Sequence, residues 1–216
     1  MEPYVRSAIR AQDFRDAEGN VIPYGQRWGM EPPPDDAYSV VTHPERFQPV
    51  HDVARALIGY LERTYDVAVS QDPALLADLP ERLVGATAVA RLTPANLRSA
   101  PITVVFTDMP GIGVMAGVLL VEPLPLCGCD ACDESWETAA DDLEWLVLAV
   151  VEGGFTEGVT RRPRARVSYK LERSDSYRGG EGLRAGADTT RRELSAARAG
   201  LAQIGGAWAA WSPRTL

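Results

Sequence analysis

Between residues 50 and 122 the hydrophobic period of the chain changes, and that change fixes the fold class. Val50, Val53, Leu57, Leu61 and Tyr65 recur at three- and four-residue spacing, the signature of one buried helix face. Asp52, Arg55, Glu62 and Arg63 fall on the far face. An amphipathic helix of about five turns is expected there. The texture then becomes that of strands. Thr87, Val89 and Arg91 alternate with Ala88, Ala90 and Leu92. The segment ITVVFTD (102–108) is short and β-branched, and residues 112–122 read as one glycine-punctuated strand after the Asp108-Met109-Pro110-Gly111 turn. Three such runs separated by turn signals predict an antiparallel meander.

The flanks extend the pattern. Thr42 and Glu45 have capping-box spacing, with Pro44 at an early helical position and Pro49 restarting the helix. Residues 70–83 read as a linker. A second helix is marked by Trp136, Ala139, Leu143, Leu146 or Val147, and Val150 on its buried stripe. Glu137, Asp141, Asp142 and Glu144 lie on its wet side, and Gly153-Gly154 stops it. Val167, Tyr169 and Leu171 alternate with charged neighbours as a half-solvated strand. Residues 174–188 (SDSYRGGEGLRAGAD) read as a flexible loop. Thr190 and Glu193 repeat the capping-box spacing before a third helix carrying Leu194, Ala197, Leu201 and Ile204, and a short edge strand around Trp208 and Trp211 closes the chain. The expectation is an α+β domain over 41–216, an antiparallel sheet of four or five strands covered by about three helices. Residues 1–40 form an irregular arm, since Pro32, Pro33 and Pro34 forbid helix. Tyr24, Trp28 and Tyr38 suggest that the arm lies against the body.

Composition narrows the setting. A chain of 216 residues, 45% apolar and 24% charged, is long enough for one real core without staples. The longest nearly uncharged apolar run, 143–151, contains Glu144 and is far short of a membrane span. The opening MEPYVRSAIRAQ has no apolar signal region. Three cysteines are an odd number for a disulfide framework. A cytoplasmic location is expected, and in that reducing setting clustered cysteines point to metal or redox chemistry. Charge is segregated. Residues 99–160 hold 11 acids and no Lys or Arg, whereas residues 161–216 hold 12 basic groups and 5 acids. The simplest consequence is mutual neutralisation within the chain. A sharper one is an acidic surface for a basic protein partner. With a pI near 4.9 no nucleic-acid partner is expected, although Arg161, Arg162, Arg164 and Arg166 cluster. No membrane partner is expected either.

One stretch carries chemistry on its face. Cys127-Gly128-Cys129-Asp130-Ala131-Cys132 overlaps C-x-C with C-x-x-C between a strand and a helix N-terminus. A turn brings such sulfurs together, and thiolates are the ligands soft enough to hold Zn²⁺ tightly. Structural zinc wants four ligands, and three are local. His51, on the first turn of the first helix, is the preferred fourth and His43 the next; Asp130 or Asp133 are alternatives. Read as redox thiols, Cys129 and Cys132 gain from the helix dipole, but Asp130, Asp133 and Glu134 disfavour thiolate. The sequence thus supports three readings. The first is a cytosolic, non-enzymatic protein with a small structural zinc site of Cys127, Cys129, Cys132 and His51. The second is an acidic partner-binding protein of the inhibitor or immunity type, without metal. The third is a thiol redox protein.

YGQRWGM (24–30), AYSVVTHPERFQPVH (37–51) and LCGCDACDE (126–134) resemble an uncharacterised bacterial family, common in high-GC genomes, of unknown function. The resemblance implies no reaction and no catalytic residue. It does imply that the arm, the THPERF turn and the cysteine segment belong together.

Overall fold

The first helix forms where its period places it. In the computed structural model, which describes residues 3–80, 83–160, 166–174, 176–182 and 191–215, helix α1 spans Gln48–Thr64. Val50, Val53, Leu57 and Leu61 are buried on one face. A 3-10 turn, Pro44–Phe47, leads into it. The capping box expected from Thr42 and Glu45 does not form. The turn opens on His43 in the left-handed region (φ 53°) with no side-chain cap. The Thr42 hydroxyl instead donates to the Asp130 carboxylate at 2.6 Å, and a charged acceptor is a stronger partner than a local amide.

The meander is present and longer than expected. Strands β1 (Val67–Ser70), β2 (Ala86–Pro94), β3 (Ile102–Thr107), β4 (Ile112–Ala116) and β5 (Leu120–Leu124) pair in sequence order, all antiparallel. Strand β1 ends at Ser70, where the region read as linker begins, and a 3-10 turn at Pro73–Asp78 lies within that region. The 112–122 run is not one strand. It folds back at Gly117, so that Ile112 faces Leu124 and Ala116 faces Leu120. Gly117 has φ 60°, and a Cβ there would land on the Glu157 carboxylate, so glycine is required at this turn. That carboxylate accepts the backbone N–H of Val118 (3.0 Å), Leu119 (2.8 Å) and Leu120 (3.1 Å).

A second, three-stranded antiparallel sheet stands beside the first: β6 (Phe155–Thr160), β7 (Arg166–Arg173) and β8 (Ser176–Gly182). Part of the segment read as a flexible loop is therefore strand β8, paired with β7 from Tyr177↔Glu172 to Gly182↔Val167. Its pairing is carried by backbone groups, which a side-chain period does not report. Residues 183–190, the Thr190–Glu193 cap and the arginine cluster at 161–165 lie outside the described residues. Helices α2 (Trp136–Val151) and α3 (Arg191–Ile204) complete the α+β fold. Helix α1 packs on α2, α2 touches β5 and β7, and α3 touches β6. Phe47, Leu57, Leu92, Ile102, Leu143, Phe155 and Leu171 share one apolar core that joins both sheets.

The C-terminal segment runs between the sheets as a strap. Trp208 N–H donates to the Phe155 carbonyl and Trp211 N–H to that of Val151. The Trp211 indole donates to Ala100 O at 2.9 Å, and the Trp208 indole to Glu157 at 2.9 Å. The segment also makes single bridges, Ser99 with Ala209, Thr156 with Ala207 and Tyr65 with Pro213. The acidic middle is neutralised from two sides. Arg178 pairs with Asp142 at 2.7 Å and Arg173 with Glu152 at 2.9 Å. From the N-terminal arm, Arg6 pairs with Asp141 and Glu144, which leaves Glu144 half-buried rather than on a wet face. Among the described residues no helix is long and apolar enough to cross a membrane.

Candidate metal centre

The cysteine segment leaves β5 and ends at the N-terminus of α2, where Ser135 caps the helix by accepting from Thr138 N–H. Between them the chain makes a tight corner, with Asp133 in the left-handed region at φ 51°. Such a backbone persists where its surroundings over-determine it. Here the arm and the turn before α1 do so.

Arg27 donates its backbone N–H (2.8 Å) and its Nε (2.6 Å) to the Asp133 carboxylate. The Trp28 indole donates to the Asp130 carbonyl at 3.1 Å. The Asp130 carboxylate accepts Thr42 N–H as well as its hydroxyl. It lies 3.6 Å from the Arg27 guanidinium and 3.8 Å from that of Arg46. Arg46, 3% exposed, donates to the Gly128 carbonyl at 2.8 Å and lies over the rings of Tyr24 and Phe47, each at 4.4 Å. Its Nε has no hydrogen-bond partner. Two ring faces stabilise the cation where that donor does not. Burial lowers the Arg46 pKa, against the pull of Tyr24 and Asp130. Backbone bonds run the same way: Asp130 N–H to Val40 O and Ala131 N–H to Ala37 O. The Glu134 carboxylate folds back to accept Leu126 and Cys127 N–H, while burial raises its pKa. YGQRWG, THPERF and CGCDACDE are therefore three sides of one charged, hydrogen-bonded corner.

The corner presents three free thiols. The Sγ atoms of Cys127, Cys129 and Cys132 all lie within 4.8 Å of one another, with Cys127 and Cys129 at 3.2 Å. Cys132 is exposed and the other two half-buried. The Cys132 backbone N–H, with the Cys127 thiol, draws the Cys129 pKa down to about 7. The Cys132 thiol, engaged by Cys127 and Cys129, is pushed up to about 12.

The other expected ligands have different partners. His51 is buried, with Nε2 2.9 Å from the Gly111 carbonyl and its ring edge-on to Phe106. Burial lowers its pKa. As Nε2 faces a carbonyl, it carries the ring proton. His43 lies 3.3 Å from Glu45 and stacks on Phe14. Among the described residues neither imidazole joins the group formed by the three sulfurs, and Asp130 and Asp133 serve the arginines. Among the described residues three thiols thus converge without a fourth side chain. Arg27 and Arg46, which hold the corner, were not singled out by chemistry in the sequence. Their signal was their place in the YGQRWG and THPERF stretches.

Comparison with known proteins adds a family and no activity. Residues 10–215 match DUF6226, described as a family of unknown function, and the chain belongs to that family. No curated protein and no solved structure matches.

Proposed function

We propose that this member of the DUF6226 family is a non-enzymatic cytosolic protein whose corner binds one thiophilic divalent cation, zinc, through Cys127, Cys129 and Cys132. One observation carries the reading: three sulfur atoms within 4.8 Å of one another on a loop held by Arg27, Arg46, Asp130 and Asp133. Three thiolates pressed together repel, and a cation relieves that repulsion while tolerating the adjacent carboxylates. Sulfur ligands favour zinc over hard cations. The arginine–carboxylate network ties the same strand-to-helix corner. With no fourth side chain in the group among the described residues, the fourth ligand is water or a donor from another molecule. The test is metal analysis of protein purified without chelator, followed by thiol titration. Near-stoichiometric zinc and thiols that react only after chelation are expected. Less than about a tenth of an equivalent of any transition metal, with three freely reacting thiols, would remove the reading.

The thiol redox reading is second, favoured by the Cys127–Cys129 approach of 3.2 Å and the lowered Cys129 pKa. It requires one thiol to alkylate much faster than the others in metal-free protein at neutral pH. The partner-binding reading has less behind it, because Asp130, Asp133, Asp141, Asp142 and Glu144 already pair with arginines of the same chain.

A further inference from the structure

We propose that the corner carries its cation in transit, taking it up and yielding it by direct ligand exchange with a thiolate or imidazole of another molecule. This rests on the metal-site reading and goes beyond it, because a permanent structural ion would behave otherwise. Three observations point the same way.

First, protein groups tie the corner at several points. The Asp130 and Ala131 amides bond Val40 O and Ala37 O, and Arg27 and Arg46 tie Asp133, Asp130 and Gly128. A structural zinc site supplies folding energy that its loop otherwise lacks, whereas this loop has bonds of its own to the arm and to the turn before α1. Second, among the described residues the donor set stops at three. Asp130, Asp133, Glu134, His43 and His51 all have other partners, so one position on a tetrahedral ion is left for a ligand from elsewhere. Open positions belong to sites where ligands come and go. Third, the sulfurs differ in access. Cys127 and Cys129 are half-buried, whereas Cys132 is exposed.

These features define a route. An incoming thiolate displaces the outer ligand and forms its metal–sulfur bond. The Cys132–metal bond then breaks, and that sulfur takes a proton from water. Cys129 and Cys127 follow in the same way as further acceptor ligands bind. The ion keeps its charge, no electron moves, and each bond lost is matched by one formed. The network holds the loop after the ion leaves, so the three sulfurs remain placed for the next one.

The test uses the full chain loaded with zinc and mixed rapidly with excess 4-(2-pyridylazo)resorcinol, a coloured zinc chelator. The rate constant for zinc transfer should rise in proportion to chelator concentration. Amide hydrogen exchange at Asp130 and Ala131 should be equally slow with and without zinc. A transfer rate independent of chelator concentration would overturn the proposal, because the ion would then leave a closed site unaided. Fast exchange of those two amides in the zinc-free chain would overturn it too, since zinc would then be ordering the corner. Failure to load zinc at all would overturn the metal-site reading itself, and this proposal with it.

Discussion

Replacing Asp130 by asparagine tests whether the corner is held by charge. Asp130 is 6% exposed, and its carboxylate lies 3.6 Å from the Arg27 guanidinium and 3.8 Å from that of Arg46. Each attraction is worth roughly 4–5 kcal/mol gross at an effective dielectric of about 20. Much of this is offset by the cost of removing three ions from water. What remains is the penalty for leaving buried cations short of a partner, about 3–5 kcal/mol when one member of a buried pair is removed. Asparagine keeps an acceptor for Thr42, and Asp133 still neutralises Arg27, so Asp130→Asn should cost about 3 kcal/mol, at the lower end. Urea unfolding followed by tryptophan fluorescence measures it. The midpoint should fall with little change in slope, the mark of lost stability rather than a changed unfolded state. As a control, Glu152→Gln breaks an exposed pair with Arg173 and should cost less than about 1 kcal/mol. If Asp130→Asn costs no more than the control, the corner is not charge-locked and the argument for a preformed thiol site fails.

Three further outcomes follow from the same geometry. Gly25 has φ 89°, and an added Cβ would sit 3.3 Å from Ser135 Cβ, so Gly25→Ala should lower stability by about 1–2 kcal/mol in thermal melting; no change would mean that the arm does not press on the cap of α2. Burial lifts the Glu157 carboxyl above its ordinary 4.5, against its four hydrogen-bond donors, so the folded chain holds that proton more tightly than the unfolded one. Its contribution to stability is then full below about 4.5 and lost as pH rises through the raised folded value. Glu157→Gln should flatten that decline and, with fewer acceptors for its donors, cost about 1–3 kcal/mol at neutral pH; an unchanged pH profile from unfolding curves would contradict the assignment. His51→Ala should cost stability but leave zinc stoichiometry and affinity intact, as His51 is bound to Gly111 O; a large loss of affinity in zinc titrations would make His51 the fourth ligand after all.

What could be read in the sequence was whatever has a side-chain period. Helix α1 was visible because Val50, Val53, Leu57 and Leu61 repeat at helical spacing, and strands β2 and β3 because an alternating run and a β-branched run stand between turn signals. The hairpin of β4 and β5 was hidden because Gly117 sits inside an unbroken apolar run, and its turn is closed by Glu157, some forty residues away. Strand β8 was hidden because a glycine-rich strand bonds through backbone and shows no alternation. At the site, the cysteine spacing foretold the cluster, but the partners of Asp130, His51 and Thr42 are long-range. Thr42 looked like a helix cap because its nearest neighbours in sequence suit one; a carboxylate 88 positions later is the stronger acceptor.

The most direct test of the central claim is zinc K-edge X-ray absorption on the zinc-loaded chain. The account predicts three sulfur scatterers at about 2.3 Å and one lighter oxygen or nitrogen neighbour. A first shell with fewer than three sulfurs, or multiple scattering from two imidazoles, would contradict it.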